Sequence, residues 1–183
     1  MHMSKEDAIA QFAKVFRKYG YEGATLTRLS KAAGLGKASL YHHFPRGKEE
    51  MAEAVLNYVN HCFQTLVLEP LQGPGKPAER IYRMSQNIRE FYRVGQDPCL
   101  LSILTLGDAK DLFDAPVKRA FETWLDTLAG VLVEAGCKPA EAYRRAEDAI
   151  IQIQGVLVLS RSLDSTDTFE RVITTLPDNL LKD

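Results

Sequence analysis

Cysteine is sparse: Cys62, Cys99 and Cys137 are odd in number, far apart and without a Cys-x-x-Cys pair. That argues against a disulfide framework and a zinc knuckle and leaves three ordinary thiols of the buried kind. Long apolar runs are missing too. Nothing reaches the ~18 residues of a membrane span, and the uncharged segment 149–160 is broken by Gln152, Gln154 and Gly155. The opening Met-His-Met-Ser-Lys-Glu-Asp lacks the apolar core of a secretory leader, so a cytoplasmic location is expected. No Gly-x-Ser-x-Gly, Walker sequence or Glu-x-x-His pair occurs, and Gly34-x-Gly36 lacks the third glycine of a dinucleotide loop. Asp108, Asp111 and Asp114 lack the glycine and terminal glutamate of a calcium loop and read as a solvated helix start. An enzyme is not expected, nor a cofactor or a metal.

What is present is an ordinary globular composition, 45% hydrophobic and 26% charged over 183 residues. The net charge of -1 hides an asymmetry: residues 1–48 carry nine Lys or Arg against three acids, and the remainder is acidic. A basic end on an acidic body suggests that one end meets a polyanion. No alternating strand pattern is visible, and the punctuation divides the chain into helix-length pieces.

Ser4 with Asp7 forms a capping-box signature opening a run that ends at Gly20, with Ile9, Phe12, Ala13, Phe16 and Tyr19 on one stripe. Short helices follow over 26–33 and 37–43, the second stopping before Phe44-Pro45 because a residue preceding proline is pushed out of the helical region. Longer ones are predicted over 47–68, 77–94, 98–106, 116–135, 139–163 and 167–181. Four of the last five begin with proline at or near the first turn, where a missing N–H costs nothing. The expected fold class is all-α with about nine helices. Residues 1–48 are expected to form an N-terminal three-helix helix-turn-helix domain and 49–183 a helical effector-binding and dimerisation domain, with the helix over 47–68 connecting the two.

The two short helices, joined by a turn at Gly34, have the shape of a helix-turn-helix, in which one helix enters the major groove and the other braces it. The stretch Phe16-x-x-x-Gly20-Tyr21-x-x-Ala24-Thr25-x-x-x-Leu29-x-x-x-Ala33-Gly34-Leu35-x-Lys37-x-x-Leu40-Tyr41-His42-His43-Phe44-x-x-x-Lys48-Glu49 resembles the DNA-binding domain of TetR-family transcriptional regulators. Pro45-Arg46-Gly47-Lys48 is similar to the LmrA/YxaF-like branch of that family. The resemblance places Lys37, Ala38 and Ser39 against base edges, with Arg28 at a base or phosphate and Thr25 and Thr27 at a phosphate. Tyr41, His42 and Lys48 match backbone-contacting positions. The sequence departs from the family at Gly36, where serine is usual, and at Ser30, where alanine is.

In the body, Tyr143, Ala146, Ile150, Ile153 and Leu157 recur along 139–163, and Phe169, Val172, Ile173, Leu176 and Leu180 along 167–181. The resemblance implies that these two helices pair with their copies in a homodimer, through Ala149, Ile153, Leu157, Phe169, Val172, Ile173 and Leu176; the same stripes also suit a monomer core. A candidate effector pocket gathers Tyr58, Cys62, Phe63, Met84, Asn87, Ile88, Phe91, Tyr92, Leu104, Phe113, Phe121, Trp124, Leu128 and Gln152, apolar with a few polar groups. The expected function is that of a ligand-responsive repressor. It would bind a palindromic operator in double-stranded DNA as a dimer and be released by a small apolar or aromatic effector. The alternative is a helical small-molecule-binding protein without sequence-specific DNA binding. Salt-dependent binding of palindromic DNA separates the two.

Overall fold

The computed structural model describes residues 4–107 and 109–182. Among them the chain is helical, without strands: α1 (Lys5–Gly23), α2 (Leu26–Ala33), α3 (Lys37–His43), α4 (Lys48–Phe63), a π-helical stretch (Gln64–Leu68), α5 (Glu69–Gln72), α6 (Pro77–Phe91), α7 (Leu100–Ile103), α8 (Ala109–Glu134), α9 (Pro139–Leu163) and α10 (Asp167–Leu181). Because α4, the π stretch and α5 follow without a break, the described residues make nine rods. No described helix is long and apolar enough to cross a membrane.

Local rules account for most boundaries. The Ser4 hydroxyl accepts the Asp7 N–H at 3.0 Å, and the Asp7 carboxylate accepts the Ser4 N–H, which closes the capping box. Gly20, with φ 67° and ψ -178°, breaks the α1 run, but helical turns resume to Gly23, so α1 extends beyond the expected stop. Gly34 takes the left-handed conformation, φ 62°, that ends α2. α6 stops at Phe91 because Arg93 and Val94 adopt positive φ. Pro116 does not open a helix as expected; it lies inside α8, which begins seven residues earlier at Ala109. Of the aspartate triplet, Asp111 and Asp114 are exposed, and Asp108 lies outside the described residues.

The chain forms two compact units, Met1–His61 with Leu100–Val117, and Cys62–Cys99 with Lys118–Asp183. The division falls within α4, after His61, inside the helix expected to connect the two domains. The segment containing α7 joins the N-terminal helices because they need it as cover: Phe113 stands edge-on to Tyr21 at 6.0 Å, and Leu100, Leu101 and Leu104 are buried. The first core holds Phe12, Phe16, Leu29, Leu40 and Phe44, all at most 1% exposed, with Phe12 edge-on to Phe44 at 5.5 Å. Each such side chain contributes about 1.5–3 kcal/mol by leaving water.

The second unit packs α6, α9 and α10 together with α5 and the π stretch. The buried Ser85 hydroxyl donates to the Ile173 carbonyl at 2.6 Å, and Arg89 forms a two-pronged pair with Glu170, both bonds 2.7 Å. Gly95 is required where it stands: φ is 79°, and a Cβ there would lie 2.7 Å from the Phe169 ring.

Candidate nucleic-acid interface

The geometry of α2, the turn and α3 is set from both ends. The Thr25 hydroxyl accepts the Arg28 N–H at 3.3 Å and caps α2. Across the turn, the Ser30 hydroxyl donates to the Leu35 carbonyl, so the departure from alanine at this position supplies a tie that α2 and the turn share. Leu29, Ala33 and Leu40 are completely buried, which pins one side of α3 to the core. Its other side carries Lys37, Ala38, Tyr41 and His42, all exposed, with Ser39 half-buried beside them. Their spacing of one, four and five residues places these four on one face. Gly36 caps α3 without a side-chain hydrogen bond.

Tyr41 is 47% exposed and lies against the next turn: a Cβ on Gly47 would sit 3.5 Å from the ring, and Gly47 has φ 67°. The rings of His42 and His43 stand edge to face at 5.2 Å. Thr25 and Thr27 are exposed at the start of α2.

Two of the expected contact residues also make bonds within the chain. The Arg28 guanidinium donates to the Gly23 carbonyl at 2.6 Å and stacks 4.2 Å above the Tyr19 ring, so its charge is held against the end of α1. Lys48 is only half-buried, but its ammonium donates to the Tyr21 carbonyl at 3.1 Å and stands 4.1 Å from the Tyr21 ring centre. It ties α4 to α1.

The residues of the expected dimer stripe lie within the single chain's own core. Ala149, Ile153, Leu157, Phe169, Ile173 and Leu176 are at most 3% exposed within the single chain, and Val172 is half-buried. They fill the chain's own core because α9 and α10 pack on each other and α10 also packs on α6. The apolar surface of α9 lies on another side: Ile151, Val158, Leu159 and Leu163 are 62%, 52%, 49% and 66% exposed. Sequence reasoning missed this stripe although its spacing of seven, one and four residues was visible.

The expected effector residues divide between the units. Tyr58, Leu104 and Phe113 belong to the first: Tyr58 is exposed, and Leu104 and Phe113 are buried. In the second, Phe63, Met84, Ile88, Tyr92, Trp124 and Leu128 are buried, and Cys62, Phe91 and Phe121 half-buried. Phe63 meets Trp124 at 5.0 Å and Phe91 at 5.7 Å, and Phe91 meets Tyr92 at 4.8 Å, all edge to face. Asn87 is spent on structure, its amide donating to the Leu66 carbonyl in the π stretch at 2.8 Å. Gln152 is no interior group: it lies exposed on a surface groove beside Glu141, Arg144 and Arg145.

Several charges of the second unit are paired with one another. Hydrogen bonds from Arg145 and Arg144 hold the Glu141 carboxyl below the usual carboxylate range. Arg145 also reaches the Leu180 carbonyl at 3.2 Å, placing a cation at the C-terminal end of α10.

Known proteins share both halves of this architecture. The profile described as bacterial regulatory proteins, tetR family, matches residues 9–55, and that of the transcriptional regulator LmrA/YxaF-like C-terminal domain matches residues 77–175. The HTH-type transcriptional regulator LmrA of Bacillus subtilis is 24% identical over 97% of this chain and 96% of its own length. The regulatory protein TetR from Rhodobacter sphaeroides superposes with a TM-score of 0.81 at 22% identity, covering 97% of this chain and 99% of that one. AibR, solved in complex with isovaleryl coenzyme A and operator DNA, superposes at 0.67 with 20% identity, covering 94% and 95%. With a helix-turn-helix in its first unit and the matching helical body in its second, this chain belongs to the TetR family of DNA-binding transcriptional regulators, with a C-terminal domain of the LmrA/YxaF-like type.

Proposed function

We propose that the chain is a repressor that binds a palindromic operator as a symmetric dimer and releases it when the second unit takes up a small, mainly apolar effector. The observation that carries the DNA half is the exposed face of α3, with Lys37, Ala38, Tyr41 and His42 outward and Leu40 fully buried behind them. That face offers a cation for guanine or phosphate, a small residue for close approach, and an aromatic hydroxyl. Thr25 and Thr27 at the start of α2 suit a phosphate. Arg28 and Lys48 serve as internal ties.

The second copy is assigned to the exposed stripe Ile151, Val158, Leu159 and Leu163, twelve residues or about 18 Å of α9. A two-fold dimer would set two copies of α3 about one duplex turn apart, matching a palindrome. Two helices are covalently shared by both units, since the division falls inside α4 and inside α8. A shift of either on effector binding changes the spacing of the two α3 helices. A coupling of ~1–3 kcal/mol changes operator affinity about 5–150-fold. The neighbour AibR, crystallised with a small ligand and operator DNA together, supports a reading in which one chain handles both.

Selection of bound fragments from a random DNA pool tests this directly. The expected product is an inverted repeat whose affinity falls with salt, and which Lys37→Ala binds at least tenfold more weakly at unchanged melting temperature. Recovery of no enriched sequence would leave a helical small-molecule-binding protein without sequence-specific DNA binding.

A further inference from the structure

We propose that the turn Arg93–Gly95 is a strained latch of the second unit, held closed by the start of α10, and that its opening changes the grip on operator DNA. The proposal rests on the reading of the chain as an operator-binding regulator. Arg93, Val94 and Gly95 have φ of 46°, 58° and 79°, three left-handed residues in a row. Glycine enters that region freely, but a residue with a Cβ does so at a cost that shifts an equilibrium by a factor of about 5 to 30. Such residues occur singly as a rule, and a β-branched one is an outlier. Glycine or asparagine would reverse the chain here without that cost, so reversal alone does not account for Arg93 and Val94. Strain of this kind persists only where neighbouring groups enforce it, and it gathers at switches.

The enforcing groups are identifiable. The Val94 N–H donates to the Arg89 carbonyl at 2.7 Å and the Arg93 N–H to the Glu90 carbonyl at 2.9 Å, which folds the turn back on the end of α6. The Gln96 N–H then reaches the Arg93 carbonyl at 3.2 Å, and the Asp97 N–H the Tyr92 carbonyl at 3.1 Å. Two consecutive residues of α10 hold this arrangement. The fully buried Phe169 ring leaves no room for a Cβ on Gly95, and Glu170 grips Arg89 by two 2.7 Å bonds. The clamp is therefore made by α10, and a shift of that helix away from α6 removes what keeps the strained turn in place. The segment that follows gives the opening a consequence. Only Gln96, Asp97, Pro98 and Cys99 separate Gly95 from Leu100, where the chain passes into the first unit and begins α7. There α7 packs on α1. An open turn gives slack to this short segment and a closed one holds it taut, so the state of the turn bears on the unit that carries the helix-turn-helix.

Amide hydrogen exchange at Gln96 and Asp97 reads the opening, because both N–H groups are bonded across the turn. Val94→Gly removes strain and is expected to slow exchange at both about fivefold; in an unstrained turn the added freedom of glycine would speed it. The inverted repeat recovered by operator selection is then added to the wild type. It is expected to change exchange at these two amides at least about fivefold, in either direction. Linkage fixes the sign of the last measurement. Gly95→Ala cannot close against Phe169. It should bind the repeat at least about fivefold more weakly if DNA slows exchange, and as much more tightly if DNA speeds it. Should Gly95→Ala fail to fold, the wild-type exchange with and without DNA still decides. Faster exchange in Val94→Gly, exchange unmoved by DNA, or a folded Gly95→Ala with wild-type affinity would each overturn the proposal. A repeat that is recovered but leaves the turn unmoved sinks only the latch, whereas recovery of no repeat sinks the operator-binding reading and the latch with it.

Discussion

The Lys48 ammonium donates to the Tyr21 carbonyl at 3.1 Å while standing 4.1 Å from the centre of the Tyr21 ring. One cation thus closes the end of α1 onto the start of α4. Tyr21 in turn stacks on Phe16 at 6.2 Å and meets the edge of Phe113. A residue that a motif match assigns to the DNA backbone is, in this fold, a clasp inside the first unit.

This predicts a separation of two effects. Lys48→Met is expected to lower unfolding free energy by about 1 kcal/mol, the sum of a weak cation–π contact and one hydrogen bond. The slope of log affinity against log salt for operator DNA should stay as in the wild type, whereas Lys37→Ala should reduce it by about 1. A slope lowered equally by Lys48→Met would return that residue to the phosphate.

Ser30→Ala tests the tie across the turn. Alanine favours the helix by a few tenths of a kcal/mol over serine, but the Leu35 carbonyl loses its donor, at about 1 kcal/mol. The hydrogen bond wins, so a net loss of about 0.5 kcal/mol is expected in urea unfolding. A gain in stability would show that the tie contributes nothing.

Acid should loosen the second unit through Glu170. The hydrogen bonds from Arg89 hold its carboxyl below the ordinary carboxylate range. A group whose folded pKa is depressed gives stability above its unfolded pKa and loses it as pH falls through the folded one. Melting temperature should therefore drop between about pH 5 and pH 3, and Glu170→Gln should flatten part of that drop. An unchanged acid limb in the variant would show the pair to be neutral, as exposed ion pairs often are.

The two sides of α9 should respond oppositely to charge. Ile151→Glu, at a position 62% exposed, is expected to leave the fold intact and turn dimer into monomer in sedimentation at micromolar concentration. Ile153→Glu, at a position with no exposure, should unfold the chain, because a buried carboxylate there has no partner. A dimer that survives Ile151→Glu would place the second copy elsewhere.

Legibility followed the range of the interactions. The capping box at Ser4, the turn at Gly34 and the stop before Pro45 concern neighbours three or four residues apart, and the structure keeps all three. Pro116 misled because proline opens helices far more often than it sits inside them, yet α8 carries it internally. On α9, apolar residues lie all round the helix from Ile150 to Leu159, so spacing alone could not say which stripe turned inward.

The amino-acid order alone determined that this chain is helical and where its helix-turn-helix lies, since caps, glycines and a compact motif are written in adjacent residues. Only the assembled fold decided that Lys48 and Arg28 bend back onto tyrosines, that Asn87 is consumed by the Leu66 carbonyl, and that Trp124 keeps an unused N–H. Those outcomes depend on which distant helix arrives beside each group. A polar side chain is free or spent according to its neighbours in space, and those neighbours come from distant parts of the chain.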